Sequence, residues 1–426
     1  LEGTLKAELC VEGNKLYENM HEELEIPLLK TGGFVCARND DEEEKLTLLY
    51  IRARENRVFN PHFLSREQAM KLEPNLNPEI TKVLSLPSTK VTYPWEVALA
   101  CIENAMLNGV EFQKNSKVTR ITKTKNAFSV EINTQTKIVT KNIINAAGIY
   151  ADEVSLMIEK TIPYEIKPRK GEYYVLDRRV KGFINHVLYP LPTKKGKGIL
   201  LIPQVHGNLL IGPNSHHLND KSDLSSTRSA MDEIRKDASL LAKNIPFDQI
   251  IRTFSGMRAT SSNEDFYIKE SKTHQGFYHV SGIDSPGLTA APAIAKYVID
   301  IIKKRTDLRK KSDFNPIRKK LDLFHQLSSI EQQKMLDDDP RYGRIICKCE
   351  KITEADIINA IKSPVGSDTI KGIKKRARAG SGLCQGGFCE SMVLNIIHEQ
   401  TQKPLSSINY YQQNTPILVK ETKVKK

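Results

Sequence analysis

Residues 342–391 limit what this chain can fold into more than any other stretch. They open with Gly343-Arg344-Ile345-Ile346-Cys347-Lys348-Cys349-Glu350 and close with Gly382-Leu383-Cys384-Gln385-Gly386-Gly387-Phe388-Cys389-Glu390. Four of the seven cysteines stand here as C-x-C, 34 intervening residues, then C-x4-C. Each pair lies beside a helical pattern, over 353–361 after the first and 389–400 after the second. Two close thiolate pairs delivered by two loops are what a [2Fe–2S] cluster needs, because four sulfurs must converge on two irons. Structural zinc, whose pairs are usually spaced more widely, and a set of buried structural thiols are the alternatives. Disulfides fit least, since Cys10, Cys36 and Cys101 are scattered through apolar patterns, as in a reducing compartment. The pattern is read as an iron–sulfur module.

At 426 residues the chain can bury two or three cores, and 39% hydrophobic with 27% charged residues describes an ordinary globular protein. No apolar run reaches the length of a membrane span, and no signal peptide is evident. The chain starts at Leu1 inside a polar helical pattern, which reads as a fragment whose true start is missing. A net charge of +13 raises the question of nucleic acid. Lysines are spread along the whole chain, however, and no RNA-binding aromatic motif or helix-turn-helix signature occurs, so no nucleic-acid partner is expected. The basic runs at 303–311, 318–320 and 420–426 read as solvated linker and tail, with a membrane surface or acidic partner as the alternative.

Apolar residues at helical spacing predict helices over 4–24 and 42–55, and Ser65 with Gln68 forms a capping box for a short helix before Pro74. Pro94 preorganises a helix through Asn108. Strands are predicted at 32–38, 118–122, 128–132 and 137–146, and a helix at 151–159. From Tyr164 onward short strands repeat, at 164–167, 172–176, 187–190, 198–203, 208–212, 250–255, 266–270 and 276–280. A single helix over 226–243 interrupts them. This is a mostly antiparallel platform rather than a second doubly wound fold. A Gly/Pro/Ser loop over 282–289 leads into a helix whose first turn is assigned to Pro292, and 306–341 reads as a charged linker with one short helix.

Two junctions carry chemistry. Asn145-Ala146-Ala147-Gly148 ends a strand and precedes a helix, so small residues let a cofactor approach the backbone; a plain tight turn would look the same. Ser281-Gly282-Ile283-Asp284-Ser285-Pro286-Gly287-Leu288-Thr289 is a second such junction, with helix-start amides free for an anion or a carbonyl oxygen. Ser255-Gly256-Met257-Arg258 places an arginine at a strand end, where its fork of donors suits a carboxylate or phosphate, although surface ion pairs also use such arginines.

Taken in this order, the pieces resemble the FAD-dependent amino-acid/glycerol-3-phosphate oxidoreductase family. The likeness includes Gly3-Thr4-Leu5-Lys6-Ala7, Glu12-Gly13-Asn14-Lys15-Leu16-Tyr17, the stretch from Lys167 to Asp177, and Gly207-Asn208-Leu209-Leu210-Ile211-Gly212-Pro213. The cysteine stretch resembles the bacterioferritin-associated-ferredoxin-like (BFD-like) [2Fe–2S] domain that ends the anaerobic-type glycerol-3-phosphate dehydrogenase large subunit. Arg376-Ala377-Arg378-Ala379-Gly380-Ser381 running into Gly382–Cys389 is its most specific part.

The resemblance implies an α/β fold (α+β overall). A Rossmann-like FAD-binding domain, with its first βαβ part missing, would carry an antiparallel-sheet substrate domain and a small helical [2Fe–2S] domain. The oxidoreductase domain would span 1–305, with FAD-binding portions at about 1–30, 90–160 and 250–305 and substrate-binding portions at about 31–89 and 161–249. A linker at 306–341, the cluster domain at 342–405 and a basic tail at 406–426 would follow. Val118 would serve the adenine half of FAD, and Ala147 and Gly148 would line the nucleotide. Gly256, Gly282, Ile283, Gly287, Leu288 and Thr289 would contact the flavin ring, whose reduced form the amides near Leu288 and Thr289 would stabilise. Arg258 would grip the substrate's anionic group, with Arg169 or Lys170 as a second cation. Cys347, Cys349, Cys384 and Cys389 would hold the cluster.

The G-x-G-x-x-G loop of the family is not found in these residues and is expected to precede Leu1; the chain as given is therefore expected to bind FAD poorly. The expected reaction is oxidation of sn-glycerol 3-phosphate, with electrons leaving through the cluster to a quinone or carrier protein, from the cytoplasm or the inner membrane face. L-2-hydroxyglutarate or a secondary amino acid is the alternative substrate, and a non-catalytic redox-relay or scaffold subunit the alternative of another class. His206, His216, His217 and His279 read as surface or strand-end residues.

Overall fold

An eleven-residue strand, Ile166–Leu176, is the spine of the sheet on which the larger part of the chain is built. The computed structural model describes residues 3–192 and 196–420. The basic run predicted at the end of the chain lies outside the described residues from 421 onward. Two units emerge. The first comprises residues up to Met20, Leu28–Val91 and Phe112–Phe314; the second comprises His21–Pro27, Thr92–Glu111 and the chain from Asn315 onward.

In the first unit, nine strands form one sheet. From one edge the order is His216–His217, Ile166–Leu176, Leu209–Gly212, Leu200–Pro203, Val187–Pro190, Gly33–Ala37, Lys82–Leu86 and His62–Ser65, with Ile250–Ser261 also paired along Ile166–Leu176. Only Val187–Pro190 and Gly33–Ala37 run parallel among these pairings, so the predicted antiparallel platform is what forms. Its buried face carries Phe34, Leu176, Leu188, Leu201 and Ile211, against which helix Arg228–Ala238 lays Met231, Ile234 and Ala238. Their i, i+3, i+7 spacing makes one apolar stripe.

The sequence reading breaks Ile166–Leu176 into two strands at Pro168 and Gly171. It is continuous because its partner, Ile250–Ser261, matches it residue by residue from Ile166 opposite Ser261 down to Val175 opposite Arg252. The predicted single strand over 137–146 instead splits into Thr136–Thr140 and Ile143–Asn145, which belong to different sheets. The Thr140 hydroxyl donates to the Asn142 carbonyl, and the Ile143 amide turns to the Gly276 carbonyl, 2.8 Å away.

A second sheet joins Tyr267–Glu270, Phe277–Ser281 and Ile143–Asn145, the last two parallel. Helix Gly287–Lys303 packs on it through Ala290, Ala293, Ile294 and Val298, together with Leu9 of helix Leu5–Leu24. Pro292 sits inside this helix rather than in its first turn. A proline cannot donate to the carbonyl four residues back; here the Tyr17 hydroxyl donates to the Leu288 carbonyl at 2.7 Å instead.

The second unit surrounds the cysteines with Leu323, Ile346, Ile352, Ile357, Ile373, Val393 and Ile397 as its core. Helix Glu354–Lys362 is set by a capping box between Thr353 and Asp356, and helices Ile370–Ala377 and Glu390–Thr401 pack around it. The residues that follow Asn315 are tied to helix Pro94–Leu107: Arg318 grips Glu103, and Asn104 donates to the carbonyls of Asn315 and Pro316.

Candidate active site and cysteine centre

Side chains alternate along a strand, so Ile166–Leu176 presents two different sets. Lys170, Glu172 and Tyr174 face one way. Lys170 donates to Asp223 and to Ser225, and buried Glu172 is held by Asn214 and the Thr227 amide. Lys170 is thereby committed to structure, which leaves Arg169 as the second cation of the pair considered from sequence.

The other set faces outward. Arg169, Gly171 and Tyr173 stand opposite Arg258, Gly256 and Phe254 of Ile250–Ser261. Two glycines thus lie side by side in the middle of a slot. Tyr173 and Phe254 stack at 4.8 Å with an interplanar angle of 6° at one end, and two arginines close the other. A Cβ on Gly171 would meet the Arg258 guanidinium at 2.3 Å, so only glycine lets that side chain lie flat across the strand. At Gly256 a Cβ would meet nothing within 4 Å, so the slot is open there.

Like charges directly opposite in an antiparallel pair repel. Asp284, from the loop after Phe277–Ser281, offsets this: it accepts from Arg169 at 3.1 Å, from buried Lys6 at 2.7 Å and from the Thr260 hydroxyl. Arg258 donates to the Asn214 carbonyl, and burial lowers its pKa, with the nearby Arg169 charge adding to this. Lys197 faces the same group. It stays accessible to solvent while protein surrounds it at longer range, as for a side chain standing in a cleft. That surrounding mass lowers its pKa against the pull of Cys10 and Asp284. Four cations, Lys6, Arg169, Lys197 and Arg258, therefore gather around one carboxylate.

The parallel pairing of Ile143–Asn145 with Phe277–Ser281 brings the loops after them to one edge, and ligands of α/β sheets bind at such carboxyl ends. Ala147 and Gly148 are exposed there, Gly148 at φ +59 with open space where a Cβ would be. On the neighbouring loop Gly282 backs onto Ser261, and Ile283 packs in the core beside the helix. At the helix start the Gly287 amide donates to Asp284 and that of Ala290 to Pro286. The amides of Leu288 and Thr289 are left without a partner inside the helix. Ile144, Tyr150, Phe254 and Leu288 are exposed apolar groups of this region. Small residues, free helix-start amides, apolar surface and cations fit a flavin. Val118 opens the neighbouring strand Val118–Lys123 and reaches the same sheet through Phe277 and Ile143.

Beneath these loops lies a network that the sequence reading missed. His279, expected at a surface or strand end, is 1% exposed. Its Nε2 meets Glu159 at 3.2 Å, and its Nδ1 meets Ser155 and the Tyr164 hydroxyl at 3.1 and 3.2 Å. Ser281 donates to Tyr164, while Asn145 donates to Ser155 and accepts from the Ala147 amide. Both loops are thus braced from below through one histidine. His216 and His217 are exposed, as expected, and His206 is half-buried in a turn. Lys6, Lys197 and Asp284 were also missed; no spacing announces residues assembled from distant segments.

The four cysteines come together as two pairs. Cys349 and Cys384 lie 3.7 Å apart, and Cys347 and Cys389 share a hydrogen bond; all four are free thiols. Each contact joins one cysteine of C-x-C to one of C-x4-C. The Cys389 thiol, above all, and the Gly380 and Glu350 amides pull Cys347 down to about 6, while that same sharing raises Cys389. A Cβ on Gly382 would meet Cys349 Cβ at 2.4 Å, so glycine allows the two cysteine loops to touch. Convergent thiols, one of them already biased toward thiolate and bonded by backbone amides, fit an iron–sulfur cluster.

Residues 1–301 match the family of FAD dependent oxidoreductases (DAO), and the chain belongs to that family. Residues 345–399 match the BFD-like [2Fe-2S] binding domain, so the chain is a flavin-dependent oxidoreductase that also carries an iron–sulfur module. It is 39% identical over 422 residues to the glycerol 3-phosphate dehydrogenase of Caloramator mitchellensis, covering 99% of this chain and 88% of that one. Identity to the glycerol 3-phosphate oxidase of Mycoplasma genitalium is 31%, over 73% of this chain and 83% of the relative. The FAD-bound, dithionite-reduced L-alpha-glycerophosphate oxidase from Mycoplasma pneumoniae superposes with a TM-score of 0.70 at 29% identity, covering 74% of this chain and 84% of that one. Among the described residues no helix is long and apolar enough to cross a membrane.

Proposed function

We propose that this chain oxidises sn-glycerol 3-phosphate to dihydroxyacetone phosphate and delivers the electrons, one at a time, to a quinone or a carrier protein. The observation that carries the substrate is the gathering of Arg169, Arg258, Lys197 and Lys6 around the single carboxylate of Asp284 beside an open slot. A dianionic phosphate satisfies such an excess of donors, and arginine forks match its oxygens two at a time. The similarity to glycerol 3-phosphate dehydrogenases and oxidases points the same way.

When bound, FAD would supply the hydride acceptor for C2 of the substrate, the C2 hydroxyl proton being released, and the [2Fe–2S] cluster would supply one-electron transfer. The chain's own residues bind and orient. Arg258 holds the phosphate, helped by Lys197, and Arg169 stands by, anchored on Asp284. Gly171 and Gly256 leave room for the glycerol carbons above the strand pair. Gly282, Ile283, Gly287, Leu288 and Thr289 would carry the flavin ring, with the free amides of Leu288 and Thr289 offering donors to negative charge there. Ala147 and Gly148 would receive the nucleotide, Val118 would serve the adenine half, and the four cysteines would hold the cluster. A one-electron cluster has no role if dioxygen reoxidises the flavin directly, which favours a quinone or carrier as acceptor. The chain would work in the cytoplasm or, with a quinone, against the inner face of the membrane.

Anaerobic titration of the flavin-loaded protein with sn-glycerol 3-phosphate, followed by visible absorbance, tests the proposal. Bleaching of the flavin band followed by the cluster bands is expected. A fully loaded flavin that stays oxidised with sn-glycerol 3-phosphate but bleaches with L-2-hydroxyglutarate would overturn the substrate.

A further inference from the structure

The cysteine loops indicate where an electron leaves the cluster. Cys347 and Cys389 are buried at 1% and 2% exposure, whereas Cys349 and Cys384 are half-buried. The protein surface therefore comes nearest the cluster along the Cys349–Cys384 edge. Two large apolar side chains flank that edge in solvent. Leu383, just before Cys384, is 52% exposed, and Phe388 is 82% exposed while its amide donates to the Cys384 sulfur. An exposed phenylalanine braced by its own backbone against a cluster ligand gains nothing from folding. It is the kind of aromatic that anchors an interface.

Charge says what kind of partner covers it. Lys348, between the first two cysteines, and Lys351 just beyond them are exposed. The acidic groups of this segment do not balance them outward: Glu350 is 3% exposed and paired with Arg378, and Glu354 is paired with Arg344. The basic stretch 371–378 is occupied inside the fold. Lys371 and Lys375 lie over the Tyr411 ring, Lys374 donates to Gln385, and Arg376 donates to the Val365 and Gly372 carbonyls. Among the described residues of this loop, Lys348 and Lys351 are the exposed lysines, one on each side of Cys349.

We infer that Leu383, Phe388 and Lys348 form a docking site for an acidic one-electron carrier protein, which receives electrons across the Cys349–Cys384 edge. This rests on the reading that the cluster relays electrons, and among the proposed acceptors it selects a protein over a quinone. One electron leaves the reduced cluster and enters the carrier's own one-electron centre; no proton or atom moves. The apolar pair supplies affinity and the lysines supply encounter rate.

An acidic flavodoxin serves as the probe, with the complete, cluster-loaded protein as donor. Two readouts are taken: binding of the oxidised partners, and reoxidation of the dithionite-reduced cluster in rapid mixing. Phe388→Ser and Leu383→Ser are expected to weaken binding and slow transfer to flavodoxin by about tenfold or more. Lys348→Glu is expected to slow it and to flatten its decline with added salt. Transfer to a small dye, iron content and the cluster's absorbance should stay as in the parent protein. Parent-like flavodoxin kinetics in all three variants would overturn the site. So would a parent protein that reduces the dye but neither binds nor reduces flavodoxin, or a Phe388→Ser variant whose one change is loss of self-association. A cluster that dithionite cannot reduce defeats the relay reading instead, and binding of the oxidised partners still decides the docking site.

Discussion

Arg258 is held in place by what its neighbour lacks. Because a side chain at Gly171 would strike the guanidinium at 2.3 Å, Gly171→Ala should displace Arg258 without removing its charge. Arg258→Ala removes the charge outright. In steady-state kinetics with sn-glycerol 3-phosphate, Arg258→Ala should lower kcat/KM by about a hundredfold or more, as expected when a partner of a desolvated charge pair is lost. Gly171→Ala should fall between it and the parent enzyme. Unchanged kinetics in both variants would remove Arg258 from the site. Asp284 has a different role, since Lys6 is buried and depends on it. Asp284→Leu strands that ammonium and should cost about 3–5 kcal/mol in denaturant unfolding, whereas the double change with Lys6→Met should restore most of it.

The two loops at the strand ends rest on His279, and this makes the element sensitive to acid. Burial holds the His279 pKa below its ordinary 6.5, against the opposing pull of Glu159. The folded protein therefore binds fewer protons here than the unfolded chain, so this contribution is full above about pH 6.5 and fades as pH falls through that value toward the folded pKa. His279→Gln, which cannot charge, should lose less melting temperature between about pH 7.5 and pH 5 than the parent protein. An identical pH profile in the two proteins would show that another group controls the acid limb. The helix above offers a second test: Tyr17→Phe removes the hydroxyl that donates to the Leu288 carbonyl and should cost about 1 kcal/mol, read by denaturant unfolding. None of this was legible beforehand. His279 looked like a strand-end residue because periodicity assigns a face, not a partner, and Glu159, Tyr164 and Ser155 reach it from another segment. The junctions themselves were legible, because small residues after a β-branched run signal a strand end by local chemistry alone. So was the grouping of the cysteines, since C-x-C and C-x4-C each keep two thiols on one short loop. The long platform strand was not, since Pro168 and Gly171 break any local pattern and only the facing strand overrides them.

At the scale of the molecule, two redox centres with different electron appetites share one chain. The flavin family chemistry takes two electrons as hydride, and the cysteine module handles them singly. A relay makes a prediction that separate stability arguments do not. Cys384→Ser removes one proposed ligand from the more accessible edge and leaves Arg258, Gly171 and the strand-end loops untouched. The variant should lose iron and the cluster's visible absorbance, yet sn-glycerol 3-phosphate should still bleach its flavin anaerobically. Its turnover with a two-electron dye should persist, while reduction of a one-electron protein acceptor should collapse. If that acceptor is reduced as fast as by the parent protein, the flavin delivers its electrons directly and the cluster serves structure rather than transfer. Loss of flavin bleaching together with the iron would instead show that the cysteine module supports the fold of the flavin site. The three outcomes separate because Cys384 lies in a different compact unit from Arg258 and the slot proposed for the substrate.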